Sequence, residues 1–311
     1  MDPEPTYPPP SSKRARHSSQ YDKQVENGNA QQTVSSLPPL SLSILGVEPL
    51  DEFIKEIADF VHHMISTRPQ DVSGKVEVEA KIGVLKDRGG QRLFLPVLVE
   101  TILRPDTVDC RFESNMTAHQ HKHYNGLLNK LKITSSQPGY ASGTPLEYNH
   151  LYLVDSFYPS ETGSDKSKIR VTRDEKTGNV VEVMKKIRLG DLNVVSPRWA
   201  TDWRVSVNLE VPVSHPLGSA THTRRKDRMS YTHEEFVIDL TQVTSTSGGT
   251  QEVLHELEVE IARPELLMAT AAKRNDPSVP EHERHAFDEL IRAFVNNARI
   301  LVRNSDPAGA S

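Results

Sequence analysis

The chain has 311 residues, of which 25% are charged and 36% are hydrophobic, proportions that are ordinary for a soluble globular protein. Its net charge of −5 at pH 7 excludes attraction of nucleic acid by the whole surface, so any basic site must be local. The single cysteine, Cys110, excludes an intramolecular disulfide and a cysteine-built zinc site, and the absence of a long apolar run predicts no membrane span.

The N-terminal segment differs in composition from the rest of the chain. Residues 1–44 are rich in Pro, Ser, Gln and Asn, and such a segment buries too little apolar surface to offset the entropy of ordering. We therefore expect a disordered tail at 1–44, a folded domain at 45–303 and a second disordered tail at 304–311. The basic KRAR sequence at 13–16 fits either a nuclear-import signal or a solubilising tail.

The folded part begins with a helix and then changes period. Helices are expected at about 49–65, 117–132 and 281–303, from apolar residues at helical spacing and flanking prolines. Nine further segments read as strands separated by turn residues: 76–85, 92–103, 150–158, 167–174, 180–189, 202–213, 224–233, 236–243 and 253–262. Eight or nine strands in series with few helices predict a mainly β (α+β) fold, in which one antiparallel sheet closes into a barrel.

The polar faces of these strands carry charge in rows. Glu77 and Glu79 share one face of the first strand, and Glu256, Glu258 and Glu260 share one face of the last. Alternating strands usually turn such a face to solvent. A row of three glutamates argues against that here, because like charges at neighbouring positions repel. If the helices cover the apolar faces, the charged faces point into the barrel.

A charged lumen must neutralise itself or bind something, because buried unpaired charge is costly. Rows of glutamate without histidine or cysteine offer hard oxygen ligands, which suit Mg²⁺ or Mn²⁺. The strands between the first and the last carry arginine and lysine, which suit phosphate oxygens. A metal site beside a phosphate site indicates phosphoryl-transfer chemistry.

Seven segments follow one another in a fixed order: VEVEAKIG, SKIRVT, KKIRLGDL, RVSVNLEVPV, KDRMSY, IDLTQV and HELEVEI. In this order they resemble the fungal-type RNA 5′-triphosphatases, the β subunit of the mRNA capping enzyme, which belong to the triphosphate tunnel metalloenzymes. The resemblance covers residues 45–303 and implies an eight-stranded antiparallel β-barrel that forms a charged tunnel with flanking helices. Separate ExE motifs are weak signals, whereas the ordered set is specific.

The resemblance also assigns metal ligands by motif position. It implies that Glu77, Glu79 and Glu260 hold a divalent cation, Mg²⁺ or Mn²⁺. Glu258 and Glu256 fall on the other glutamates of the last strand, where they would support the site or bind metal-held water.

Further matched positions concern the phosphate and the attacking water. The resemblance implies that Arg170, Lys226 and Arg228 bind the γ-phosphate, that Lys186 is another basic tunnel residue, and that Glu210 orients water. For each of these residues the alternative is a structural ion pair inside the tunnel. That alternative is at least as good for Glu182, Arg188, Arg204 and Arg224.

The IDLT segment contributes a polar pair, Asp239 and Thr241, which also match the family. Val237 is a departure, because it occupies the inward position where some relatives carry a basic residue. The histidines at 119, 121 and 123 lie in the second predicted helix, so we expect surface residues rather than a metal site.

The resemblance implies a metal-dependent enzyme that removes the γ-phosphate from the 5′-triphosphate end of nascent mRNA, the first step of cap formation. Two alternatives are a tunnel phosphatase for free nucleotides or inorganic tripolyphosphate, and a non-catalytic phosphate-binding scaffold barrel. The intact set of three ligand glutamates disfavours the scaffold.

The resemblance implies a nuclear location and two partners besides triphosphate RNA. One is mRNA guanylyltransferase, the α subunit of the capping enzyme, for which we expect weak or indirect association because residues 1–44 contain no tryptophan anchor. The other is a second copy of the chain, for which the apolar helix at 49–65 is a candidate surface. Packing of that helix on its own barrel is the alternative.

Overall fold

A computed structural model describes residues 40–49, 51–140, 144–159, 168–247 and 250–305. The basic sequence at 13–16 and most of both predicted tails lie outside these ranges, so the domain limits remain predictions. The described chain contains four helices: α1 (Glu52–Thr67), α2 (Ala118–Ser135), α3 (Pro264–Lys273) and α4 (Glu281–Arg303). It contains ten strands: β1 (Lys75–Lys86), β2 (Thr101–Ile102), β3 (Arg111–Glu113), β4 (Glu147–Pro159), β5 (Lys168–Asp174), β6 (Val180–Val195), β7 (Asp202–Pro212), β8 (His222–His233), β9 (Phe236–Ser247) and β10 (Thr250–Ile261).

Eight of the strands form a closed antiparallel barrel, as the sequence predicts. Their order around the barrel is β1-β10-β9-β8-β4-β5-β6-β7, and β7 returns to β1. The short strands β2 and β3 pair with β6 and β1 outside this ring. Closure removes the unpaired strand edges of an open sheet and leaves an inner and an outer face.

The alternation of residues along each strand determines which side chains point inward. In β1 the apolar residues Val76, Val78, Ala80 and Ile82 are fully or nearly fully buried on the outside of the barrel, beneath the helices. The charged residues of the same strand point to the lumen. The same division holds in β7 and β10, so the barrel has an apolar outer layer and a polar interior.

Helices α1, α3 and α4 cover part of the outer face. The apolar side of α1 (Ile54, Ile57, Ala58, Val61 and Ile65) is buried in the same core as α4 and the outer faces of β1 and β7. Of the two roles considered for this helix, packing on its own barrel is the one observed. A homodimer remains a prediction, but this face is not free to form it.

Gly190 lets α1 approach the barrel closely. It lies next to a register shift in β6 between Arg188 and Gly190. A Cβ atom at this position would lie 2.5 Å from Sδ of Met64 and 3.3 Å from Cζ of Phe60, both on α1. A side chain at this position would displace Met64 or α1, so glycine favours the close packing of the helix on the sheet.

The strand predicted at 92–103 is largely wrong, because within it only Thr101–Ile102 form a strand, and Arg92 makes an isolated bridge to Lys86. Pro96 lacks the N–H that a ladder requires, which explains why a β-like composition does not form a strand here. Its apolar residues Leu93, Leu95 and Val97 instead pack against a small cluster around Leu85. The sequence also did not predict α3 or the short strand β3.

The predicted helices at 117–132 and 281–303 are confirmed by α2 and α4. The expectation that the α2 histidines are all surface residues is wrong for His121, which is half-buried with its ring centroid 4.7 Å from that of His255. His119 and His123 are exposed.

Residues 40–49 form a unit of their own. They make a turn in which the Gly46 amide donates to the Ser43 carbonyl oxygen at 3.0 Å. Among the residues described, no helix is both long and apolar enough to span a membrane.

Candidate active site in the barrel lumen

The lumen holds a cavity of about 630 Å³ lined by charged side chains of both signs. Carboxylates and cations from β1, β5, β6, β7, β8 and β10 reach it, as expected if the polar strand faces point inward. The sequence-predicted residues on its wall are Glu77, Glu79, Arg170, Lys186, Glu210, Lys226, Arg228, Glu256, Glu258 and Glu260.

Four carboxylates gather at one part of the lumen, which we call the acidic wall: Glu77, Glu79, Glu210 and Glu260. Glu79 and Glu260 lie directly opposite each other on the neighbouring strands β1 and β10. Asn208 of β7 fixes the β1 pair, because its Nδ2 donates to Glu77 Oε2 at 2.8 Å and to Glu79 Oε1 at 3.1 Å. The like charges of this wall are therefore held close together.

Lys186 supplies positive charge to this wall. Its ammonium forms an ion pair with Glu77 and lies 3.4 Å from Glu79 Oε1 and 3.8 Å from Glu210 Oε1. Glu260 makes no ion pair with any residue in the described ranges, and Val237 is its register neighbour on β9. The apolar side chain of Val237 therefore gives Glu260 no cationic partner at the neighbouring position of β9.

Burial and the neighbouring carboxylates raise the pKa of three of these carboxyls, Glu79, Glu210 and Glu260. Burial, together with Glu77, Glu210 and Glu79, raises the pKa of Glu260 to about 8. Burial and the nearby Glu77 raise the pKa of Glu210 to about 7, although Lys186 and Arg170 act in the opposite direction. A divalent cation on this wall would relieve the same repulsion, because it favours the ionised form of every carboxylate it contacts.

The donor chemistry of this wall fits a hard divalent cation. Its groups are all carboxylates, which are preferred ligands of Mg²⁺ and Mn²⁺. Across the described ranges, however, no three histidine, cysteine or carboxylate groups are arranged closely enough to hold one ion. The Lys186 ammonium lies between Glu77 and Glu79, so it occupies the position nearest to both.

Glu258 differs from its neighbours on β10 because it has cations on two sides. It pairs with Lys81 of β1, and its Oε2 lies 3.7 Å from the Arg228 guanidinium. Although burial opposes ionisation, Lys81 and Arg228 hold the pKa of Glu258 well below its usual range. Glu258 is therefore a neutralised carboxylate, which fits a supporting role better than direct metal ligation.

Three cations form a second part of the lumen, which we call the cationic wall: Arg170, Lys226 and Arg228. Arg170 lies 2.9 Å from Glu182 Oε2 and 3.5 Å from Glu210 Oε1. Lys226, which is almost fully buried, forms an ion pair with Asp155. Arg170, Lys226 and Arg228 thus each have a carboxylate partner. Glu260 on the acidic wall, in contrast, has no cationic partner in the described ranges.

Asp239 and Thr241 both contact Arg228. The guanidinium of Arg228 lies 2.6 Å from Asp239 Oδ2, and its Nε donates to Thr241 Oγ1 at 3.0 Å. These two contacts hold the guanidinium plane from β9. The pair acts through Arg228, because neither residue lines the cavity itself.

The structural ion pairs considered as alternatives are present as well. Arg188 and Arg204 lie 2.8 Å and 3.2 Å from Asp191 Oδ2, and Arg224 lies 2.9 Å from Glu256 Oε1. Glu256 is thereby a partner of Arg224, at a distance from the acidic wall. All three arginines also line the cavity, so the pairing does not withdraw them from the lumen.

Sequence reasoning missed Asp155, which is 1% exposed and holds two lumen residues. Its carboxylate pairs with Lys226 and accepts a hydrogen bond from Thr172 Oγ1 at 2.8 Å. Although burial opposes ionisation, Lys226 and Thr172 lower the pKa of Asp155. The signal was present as the one carboxylate of the segment predicted as a strand at 150–158, where neither face alternates clearly.

Comparisons with known proteins cover nearly the whole described chain. A family model described as "mRNA capping enzyme, beta chain" matches residues 47–306. The mRNA-capping enzyme subunit beta of Schizosaccharomyces pombe is 38% identical over 275 residues, which make up 86% of each chain. The protein of the same description from Cryptococcus neoformans is 32% identical and aligns over 89% of this chain and 68% of its own. The S. pombe Pct1 RNA triphosphatase, solved in complex with the Spt5 CTD, matches with a TM-score of 0.76 at 36% identity, over 86% of this chain and 100% of that one.

Proposed function

The chain belongs to the family of the mRNA capping enzyme beta chain, and on that premise we propose that it removes the γ-phosphate from the 5′-triphosphate end of RNA inside this tunnel. As a member of the family it is an RNA triphosphatase, a hydrolase of the capping pathway. The observation that supports γ-phosphate removal inside the tunnel is the division of the lumen into an acidic wall and a cationic wall. One suits a divalent cation and the other suits phosphate oxygens.

We propose that Glu77, Glu79 and Glu260 hold Mg²⁺ or Mn²⁺, with Glu258 and Glu256 in supporting positions. When bound, the ion would supply Lewis-acid neutralisation of charge on the phosphate oxygens. The all-carboxylate donor set and the lack of a protein cation at Glu260 support this assignment.

The cationic wall would bind the γ-phosphate and stabilise charge as the bond to the β-phosphate breaks. Arg170 and Arg228 offer planar donors that match phosphate geometry, and Lys226 offers a point charge. Their carboxylate partners hold the side chains in place before the substrate arrives. Such fixed donors avoid reorganisation during the reaction, which is the main source of electrostatic catalysis.

Glu210 would orient water for attack on the γ-phosphorus. Its Oε1 lies 3.5 Å from the Arg170 guanidinium and 3.8 Å from the Lys186 ammonium, between the two walls, which suits a group that accepts a proton from the attacking water. The water oxygen forms a bond to phosphorus, the bond to the bridging oxygen breaks, and the water proton passes to Glu210. The products are inorganic phosphate and RNA with a 5′-diphosphate end.

The experiment that tests this function is phosphate release from γ-labelled triphosphate RNA, with and without Mg²⁺ or Mn²⁺. We expect labelled inorganic phosphate and diphosphate-ended RNA when the metal is present, and no release when it is absent. Release of pyrophosphate, or equal activity after exhaustive chelation, would contradict the proposal.

The place of action follows from the product, because a diphosphate end is the substrate of guanylyltransferase. We propose a nuclear enzyme that works beside that transferase, through weak or indirect association, and as a homodimer. The relative Pct1, which has been solved with the Spt5 CTD, is a precedent for contact with another protein. Titration of purified guanylyltransferase would test direct association, and tight one-to-one binding that depends on residues 1–44 would contradict the expected weak contact.

A further inference from the structure

The two openings of the lumen differ in charge. Because neighbouring strands are antiparallel, the start of β1 and the ends of β7 and β10 lie at one opening. The lumen residues nearest to this opening, which we call the acidic mouth, are Glu77, Glu210, Glu260 and Glu182. They outnumber the cations there, so this opening repels a polyanion.

The other opening, which we call the cationic mouth, is formed by the starts of β5, β7 and β8 and the end of β4. The lumen side chains near it include Lys168, Arg188, Arg204 and Arg224. Arg188 and Arg204 share the single carboxylate of Asp191, so the arginine charge exceeds what the carboxylate neutralises. Burial, and then the proximity of Arg188, lowers the pKa of Arg204, despite the opposing effect of Asp191.

Aromatic rings lie among these cations. Phe157, near the end of β4, lines the cavity and stacks on His222 with ring centroids 4.5 Å apart and planes 3° from parallel. On the opposite side Phe112 lines the cavity beneath the Arg204 guanidinium, which is 4.9 Å from the ring centroid. Cations alternating with aromatic rings are the arrangement that binds single-stranded nucleic acid without base-specific contacts.

We propose that RNA enters by the cationic mouth, with its first base against the Phe157–His222 pair and its next phosphate near Arg188. This inference rests on the proposed function, which it deepens by assigning the direction and the residues that recognise a nucleotide chain. The direction agrees with the proposed role of Glu210, which lies toward the acidic mouth. Water held there approaches the γ-phosphate from the side opposite to the leaving diphosphate, as in-line displacement requires.

The position of the rings predicts how substrates are distinguished. Inorganic tripolyphosphate has neither base nor further phosphates, so it would use the two walls alone. A nucleoside triphosphate adds the base that meets Phe157, and RNA adds the phosphates that meet Arg188. Residues of the cationic mouth should therefore affect these three substrates to different extents.

The test measures kcat/KM of the full chain for tripolyphosphate, ATP and a triphosphate-ended RNA of ten nucleotides. Phe157→Ala should lower the value for ATP and RNA by about tenfold, the scale of one lost base stack, and leave tripolyphosphate unchanged. Phe157→Tyr keeps the aromatic ring and should therefore keep kcat/KM for ATP and RNA at the value of the parent protein. Arg188→Gln should affect RNA alone and make its salt dependence shallower by about 0.7 in the log–log slope, the value for one phosphate contact.

Lys75 provides the matched control, because it is an exposed cation at the acidic mouth and shares the inward side of β1 with Glu77. Lys75→Gln should leave all three substrates unchanged. If RNA hydrolysis falls with Lys75→Gln and not with Arg188→Gln, the proposed direction is wrong. Equal losses for all three substrates in Phe157→Ala would show that the ring is structural. An absence of phosphate release from RNA by the parent protein would instead overturn the proposed function itself.

Discussion

The inner and outer faces of the barrel are built by the same strands but have opposite effects on the stability of the fold. On the outer face of β1, Val78 and Ala80 are completely buried in an apolar core, and burial of this kind drives folding. On its inner face, Glu77 and Glu79 are also buried, but beside other carboxylates. The difference indicates that the outer face stabilises the fold, whereas the acidic wall weakens it in exchange for binding capacity.

The sharpest test of this contrast is Glu79→Gln. We expect about a thousandfold lower phosphate release, because a direct metal ligand supports several kcal/mol of transition-state stabilisation. The melting temperature of the metal-free protein should remain equal or rise, since burial and the neighbouring Glu77 already raise the pKa of Glu79. The two lysines that lie near Glu79 are Lys81, at 3.0 Å, and Lys186, at 3.4 Å; in the variant they retain Glu258 and Glu77 as partners. A large fall in stability would show that Glu79 is chiefly structural.

Phe294→Ala tests the outer face. Phe294 lies on α4 and is completely buried in the main core, so its truncation should reduce the free energy of unfolding by about 4 kcal/mol. The kcat of the folded fraction at low temperature should be unchanged. Phe94→Ala is the matched control, because that ring is 88% exposed and its removal should have little effect on urea unfolding. Equal destabilisation by both changes would contradict the assignment of the core.

The alternation of polar and apolar residues along each strand was enough to predict most of the residues that point inward or outward. The first and last strands, with their rows of glutamate, and the residues Arg170, Lys226 and Arg228 all reach the lumen as expected. The sequence could not show which carboxylates are neutralised, because pairs such as Lys81 with Glu258 join residues far apart in the chain. The loop at 92–99 was misassigned because composition outweighed the effect of Pro96.

Asp155→Asn refines the comparison, because it is a lumen carboxylate that should stabilise the fold. Its removal leaves the Lys226 ammonium buried without its partner, which should cost about 3 kcal/mol in chemical denaturation. Asp109→Asn removes an exposed carboxylate that pairs with Arg88 and should cost little. If Asp155→Asn is as stable as the parent, paired and unpaired lumen carboxylates are energetically alike, contrary to our account.

His121 lies on α2, outside the lumen, and should affect the pH dependence of stability only slightly. Burial and the adjacent His255 lower the pKa of His121 to about 4, whereas an unfolded histidine titrates near 6.5. Between these values the unfolded chain binds a proton that the folded chain does not, so stability falls as pH decreases from 6.5 to 4. His121→Gln should reduce the stability lost between pH 6.5 and pH 4 by about 1 kcal/mol. This value is small because solvent screens a ring that is only half-buried. His119→Gln, at an exposed site, should leave the melting curve at each pH unchanged.

Direct binding of Mn²⁺ tests whether the acidic wall holds a divalent cation, without reliance on turnover. Free Mn²⁺ can be followed by electron paramagnetic resonance during titration of the parent protein, Glu260→Gln and the double variant Glu79→Gln/Glu260→Gln. We predict saturable binding to the parent, much weaker binding to Glu260→Gln and none to the double variant, with all three proteins folded. Undiminished Mn²⁺ binding by the folded double variant would contradict the account.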